Sequence, residues 1–203
     1  RGVVEIAALG PLRSAPRAVR SSSAFVSGGA TVIAVAAVSA VHQKDPQAWC
    51  AWITPEGEDR RPSEARVPSL YAPALVQAHV DLARLLVVRP PAQALARTLV
   101  KVAMSGAFEL VVVDAPHRQD LCVSRARSGA PPADAVVVRK LALAAEECGT
   151  TTLLLTNALA PRTAPWPVAL RLEVERRPDA LSVRVTKDRR GAGASSQHVV
   201  RLA

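Results

Sequence analysis

RGVVEIAALGPLRSAPRAVRSSSAFVSGGATVIAVAAVSAVHQK, residues 1–44, reads as strand, loop and helix. Val3 to Ala8 is a short apolar run ending at Leu9, Gly10 and Pro11, the pattern of a buried strand entering a turn. A polar loop with Arg13, Pro16, Arg17 and Arg20 to Ser23 follows, and from about Gly29 to Val41 the chain is apolar over helical length. This is the order of a phosphate-binding unit, in which backbone N–H groups and one lysine face the phosphates and a Ser or Thr hydroxyl holds the metal. Here Gly29, Ala30 and Thr31 stand where Gly, Lys and Thr are expected, and the first lysine is Lys44. The scaffold is expected to persist with its nucleotide chemistry lost.

Ala24 to Val41 carries no charge and reaches the minimum length of a membrane span. Gly28, Gly29, two serines and much alanine fit a helix buried against a sheet better, so no membrane contact is expected. The chain starts at Arg1 and its one methionine is Met104, which leads us to expect an upstream segment.

Composition points the same way. A chain of 203 residues suits one domain, 1–203, and with 49% apolar but only 3% aromatic residues its core must be built from Ala, Val and Leu, as in buried parallel strands. The net charge of +9 comes mostly from arginine, since the lysines are Lys44, Lys101, Lys140 and Lys187. Arginine suits phosphate and carboxylate partners, but genomic base composition raises arginine too, so charge admits an anionic partner and specifies none. Cys50, Cys122 and Cys148 are far apart and without a CxxC pair, and His42, His79, His117 and His198 are as scattered. Free thiols in a reducing, cytoplasmic compartment are expected, with no metal site.

Further along, Ala48–Ile53, Leu85–Val88, Leu110–Val113 and Thr151–Thr156 read as strands. Between them, helices are expected near Tyr71–His79, over Ala92–Ser105 with Leu95, Leu99, Val102 and Ala103 on one face, and over Asp134–Cys148 with Val137, Leu141, Ala145 and Cys148 inward. Gly106 and Gly149 end the last two. The alternation predicts an α/β fold over 1–165, a mostly parallel sheet flanked by helices. From 166 to 203 the pattern changes: Leu170, Leu172 and Val174 alternate with charged residues, Pro178 and Asp179 turn the chain, and Leu181, Val183 and Val185 alternate again, which predicts an antiparallel hairpin extension.

Several pieces in this order resemble the ATP-binding core of the RecA recombinase family, a P-loop NTPase fold. RGVVEI is similar to the strand before its phosphate loop, AWITPEG (51–57) to the strand whose glutamate activates water, FELVVVDAP (108–116) to the Walker B strand, and TTLLLTN (151–157) to the γ-phosphate-sensing strand. VDLARLLVVRPP (80–91) and LSVRVTKDRR (181–190) fit the same template. The resemblance implies that Glu56 takes the water-activating position, Asp114 the metal-side position and Asn157 the sensor position; the alternative for both acids is survival as solvated strand-end carboxylates.

The departures from the family are specific. Ala30 removes the phosphate lysine, a contact of about 1.5–3 kcal/mol and so roughly ten- to a hundredfold in affinity. Ala158 replaces the switch glutamine, and the DNA-inserting loop shrinks to Ala158–Pro165 with Arg162 as its one basic residue. The chain is therefore expected not to be an enzyme and to need no cofactor, ATP binding being lost or feeble.

Shortened RecA relatives of this kind are best matched by the ImuA family. That resemblance implies an accessory protein of SOS-induced, mutagenic translesion synthesis in DNA repair, nucleoid-associated in the cytoplasm. Its partners would be ImuB, an inactive Y-family-like polymerase, RecA, and an error-prone C-family polymerase. The alternatives are a DNA-binding RecA paralogue with residual ATP binding and a SulA-like cell-division inhibitor. Lys187, Arg189 and Arg190 match positions that reach a neighbouring subunit in RecA filaments, and they are expected on one exposed patch facing a partner or DNA, against the alternative of a solvated hairpin end. Without an aromatic platform for bases, DNA binding should be feeble and sequence-independent.

Overall fold

The computed structural model describes residues 1–9, 28–56, 70–114, 133–158, 166–189 and 196–201. In chain order these form β1 (Gly2–Leu9), α1 (Gly28–Lys44), β2 (Cys50–Ile53), α2 (Ala72–Gln77), β3 (Leu85–Val88), α3 (Leu95–Met104), β4 (Leu110–Asp114), α4 (Ala133–Cys148), β5 (Thr151–Asn157), β6 (Leu170–Arg176), β7 (Ala180–Asp188) and β8 (Gln197–Arg201). The strands make one eight-stranded sheet in the order β3-β2-β4-β5-β1-β6-β7-β8. It is a mixed α/β architecture, parallel from β3 through β6 and antiparallel at β6–β7 and β7–β8.

Strand alternation divides the interior into two cores. On one face α3 and α4 set Leu95, Leu99, Val138 and Leu141 over Val3, Ala51, Ile53, Val111, Val113 and Leu154. On the other, α1 and α2 cover Ile6, Ala8, Cys50, Trp52, Leu110, Val112, Leu153 and Leu155. Each fully buried leucine contributes about 1.5–3 kcal/mol, so two faces covered by helices suffice to hold strands that are apolar throughout. The inward stripe of α3 is Leu95, Leu99 and Ala103, as its spacing predicts. In α1 the stripe is Ala30, Ala34 and Val38, small residues four apart that let the helix lie close to the sheet.

The expected helix over Ala92–Ser105 divides into a 3-10 turn, Ala92–Ala94, and α3 proper. Pro91 stands just before the turn in an extended conformation, so regular helix starts only afterwards. No helix of the described residues is long and apolar enough to cross a membrane.

The antiparallel hairpin is present, but its first strand also belongs to the parallel sheet, so the parallel part runs past residue 165. β6 pairs with β1 in parallel, Glu5 beside Arg171 and Ala7 beside Glu173. Trp166 and Val168 are buried in the core under α4, and the Ala169 N–H donates to the Val3 carbonyl at 2.8 Å, which starts the chain along β1. β8 adds a further strand beyond the hairpin, one that the sequence reading does not include.

Candidate functional site

Because β1, β2, β4 and β5 are parallel, their C-terminal ends open on one edge of the sheet, the edge where α/β folds place ligands. Three sequence-selected residues stand there. Asp114 ends β4, 8% exposed; Val112 before it lies in the α1-side core, so alternation turns Asp114 to the α1 side. Asn157 ends β5 beside Ala8, whose side chain lies on that same side. Glu56 lies two residues beyond Thr54. The Thr54 N–H donates to the Val88 carbonyl at 3.1 Å and the Glu56 N–H to the Pro90 carbonyl at 2.8 Å, so the chain after β2 stays paired with the chain after β3. Glu56 itself is exposed.

The first turn of α1 supplies the other side of this edge. Gly29 sits hard against the β6–β7 ladder: a Cβ there would lie 2.9 Å from Val174 Cγ1 and 3.3 Å from Leu181 Cδ2. Ala30 is 1% exposed and heads the inward stripe, while Thr31 is half-buried. Position 30 therefore faces the packed core, and the nearest lysine in the helix is Lys44, at its far end. Among the described residues the first turn of α1 brings no cation to the two carboxylates and the amide, and a carboxylate repels a triphosphate.

The basic residues of the hairpin behave differently from one another. The Lys187 ammonium donates to the Trp166 carbonyl at 2.8 Å and is half-buried, which makes it a tie between β7 and the segment before β6. Arg189 is exposed, its backbone N–H bonded to the Ala169 carbonyl. Arg162 and Arg190 lie outside the described residues, as do Phe25, Cys122 and His117.

One polar row escapes the sequence reading because Glu5 sits in an apolar run. Glu5 is fully buried and accepts from Thr156 Oγ1 at 2.8 Å. Arg171 Nε lies 4.0 Å from Glu5 Oε2, Arg171 Nη2 lies 3.5 Å from Glu173 Oε1, and Glu173 also accepts from Arg184. The signal available in the sequence was the charge alternation of β6 itself. Nearby, the buried Asp134 in the first turn of α4 accepts from Trp166 Nε1 at 3.2 Å.

Cysteine chemistry is closed off at Cys50. Burial, helped by the charge of Glu109, pushes its thiol up to about 12, so it holds its proton and is a poor nucleophile. Among the described residues no group of three or more His, Cys, Asp or Glu side chains is placed to hold a metal ion.

No family model matches the chain, and no curated protein matches it. Among solved structures, SulA from Pseudomonas aeruginosa is similar over 63% of this chain and 87% of that chain, with 14% identity and a TM-score of 0.41. A likeness that coarse carries no function.

Proposed function

We propose that this chain is a non-catalytic, RecA-like accessory protein that works by contact with other proteins and not by hydrolysing ATP. The observation that carries the reading is the placement of Ala30. A phosphate lysine must project from the start of the helix toward the strand ends, whereas position 30 is 1% exposed and points into the α1-side core. Support also comes from strand order. β5 lies between β1 and β4, so the phosphate-loop strand, the sensor position Asn157 and the acid position Asp114 finish side by side.

In the DNA-damage setting that the ImuA resemblance implies, the partners are an ImuB-type polymerase-like protein, RecA and an error-prone C-family polymerase. Any contact with DNA is sequence-independent and salt-sensitive. The test is calorimetric titration with Mg-ATP beside affinity capture of purified ImuB-type protein and RecA. The expected outcome is capture of a partner with no saturable nucleotide binding below roughly 1 mM. Micromolar Mg-ATP binding that is lost in Glu56→Gln and Asp114→Asn would make the chain a working ATPase instead. Salt-dependent binding to single-stranded DNA without partner capture would favour a recombinase paralogue.

A further inference from the structure

We infer that the free edge of β3 binds an extended segment of a partner protein, apolar in its centre and acidic at both ends, as an added strand of the sheet. Among the described residues β3 is the outermost strand and pairs only with β2. Its sequence is Leu-Leu-Val-Val, with Leu86 43% and Val87 41% exposed, one on each face. Proteins ordinarily blunt an edge strand with charges, proline or a bulge inside it; this strand has none within its span.

Backbone alternation says which groups are free. The Val88 and Pro90 carbonyls point inward, to Thr54 and Glu56. Residues 85, 87 and 89 therefore point their backbone outward. The Leu85 N–H is used by the Leu82 carbonyl, which among the described residues leaves the Leu85 carbonyl, both groups of Val87 and the Arg89 N–H along the edge. That alternation of acceptors and donors is what an incoming strand pairs with. The span of roughly 13 Å suits about four residues of extended chain.

Charge selects the occupant. Arg84 and Arg89 bracket the strand. Arg84 Nη2 donates to Gln47 Oε1 at 2.7 Å and its guanidinium lies 5.3 Å from the centroid of the Trp49 ring, itself 42% exposed, so it is held in place. Arg89 is exposed, and neither arginine forms an ion pair among the described residues. Because residues 85, 87 and 89 face outward, two copies of this chain pairing antiparallel through β3 with Val87 opposite Val87 would set Arg89 of each opposite Leu85 of the other, one residue from its Arg84, and so gather like charges at both ends. A partner strand with carboxylates at both ends meets opposite charge there. The inference stands apart from the strand-end site: β3 would bind such a segment whether or not ATP binds elsewhere.

The probe is a synthetic peptide with two glutamates at each end of an alternating Val/Thr centre, titrated into the full chain and followed by backbone amide NMR. The expected result is saturable shifts at Leu85, Leu86, Val87, Val88 and Arg89. The double variant Arg84→Glu, Arg89→Glu should weaken the acidic peptide by about tenfold or more and favour a lysine-ended one. Val87→Pro removes an outward N–H without touching the ladder to β2, so it should abolish binding with the circular dichroism spectrum unchanged. Equal affinity for acidic- and lysine-ended peptides would overturn the inference, as would shifts confined to another surface or concentration-dependent self-association through β3.

Discussion

Glu5 and Arg171 lie side by side in the parallel register of β1 and β6, the carboxylate fully buried and Arg171 Nε 4.0 Å from its Oε2. Arg171 is also within ion-pair distance of Glu173, which accepts in turn from Arg184 on β7. The row crosses from the parallel strands into the antiparallel hairpin. It joins the two halves on the face where apolar helices cover β1 but leave β6 and β7 partly exposed. A buried ion pair adds little net stability over an apolar one of the same shape, but removing one partner strands the other.

Arg171→Met is therefore expected to lower stability by about 1–3 kcal/mol, because the buried Glu5 loses the guanidinium beside it. Adding Glu5→Leu should recover part of that loss. Urea denaturation of the two single variants and the double variant measures the coupling; additive losses would mean that the pair is not coupled.

Cys50 gives a pH prediction. Its thiol is raised in the folded protein from the ordinary 9.0 to about 12, so the folded state holds a proton that the unfolded state releases. The contribution is fully present below pH 9 and is lost as pH rises toward 12, at up to roughly 1.4 kcal/mol per pH unit. Cys50→Val should therefore flatten the alkaline fall in stability relative to the native chain, measured by urea denaturation between pH 8 and pH 11. Parallel pH curves for the two proteins would refute it.

Sequence periodicity tells which face a residue occupies, and that is why the strands and the inward stripe of α3 were legible. Leu85–Val88 was read to the residue; Asp114 does end β4 but is buried and not solvated, and Glu56 lies three residues past the end of β2. Periodicity does not tell which strand is the neighbour. Nothing in Leu170–Arg176 announces that its free side meets β1, since that pairing follows from the chain path after Trp166. Lys187 was read as a surface charge, because its partner is a backbone carbonyl 21 residues away and carbonyls leave no mark in a sequence. Glu5 was hidden for the converse reason: six apolar neighbours made it look incidental.

His79 holds a left-handed backbone, φ 59, just after α2. The Val80 N–H returns to the Leu75 carbonyl and the His79 N–H to Val76, the bonding that closes a helix and favours glycine at this position. His79 is exposed, so its side chain contributes little there. His79→Gly is expected to raise stability by about 0.5–1 kcal/mol, read as a higher urea midpoint with an unchanged slope.

The start of α1 decides between a lost lysine and a lost pocket. If only the side chain were missing, Ala30→Lys would restore nucleotide binding. Ala30 instead heads a stripe of small residues packed on the sheet, so a lysine must either bury its ammonium or push the helix away. Ala30→Lys is expected to cost about 2–4 kcal/mol without gain of Mg-ATP binding. Gly29→Ala should cost about 1–3 kcal/mol, since its Cβ would meet Val174 Cγ1 at 2.9 Å, and Val174→Ala in the same chain should relieve part of that. Thermal melts and calorimetric titration of these variants read both outcomes. A stable Ala30→Lys protein that binds Mg-ATP would show that the turn still opens toward the strand ends, and the contact-only reading would fall with it.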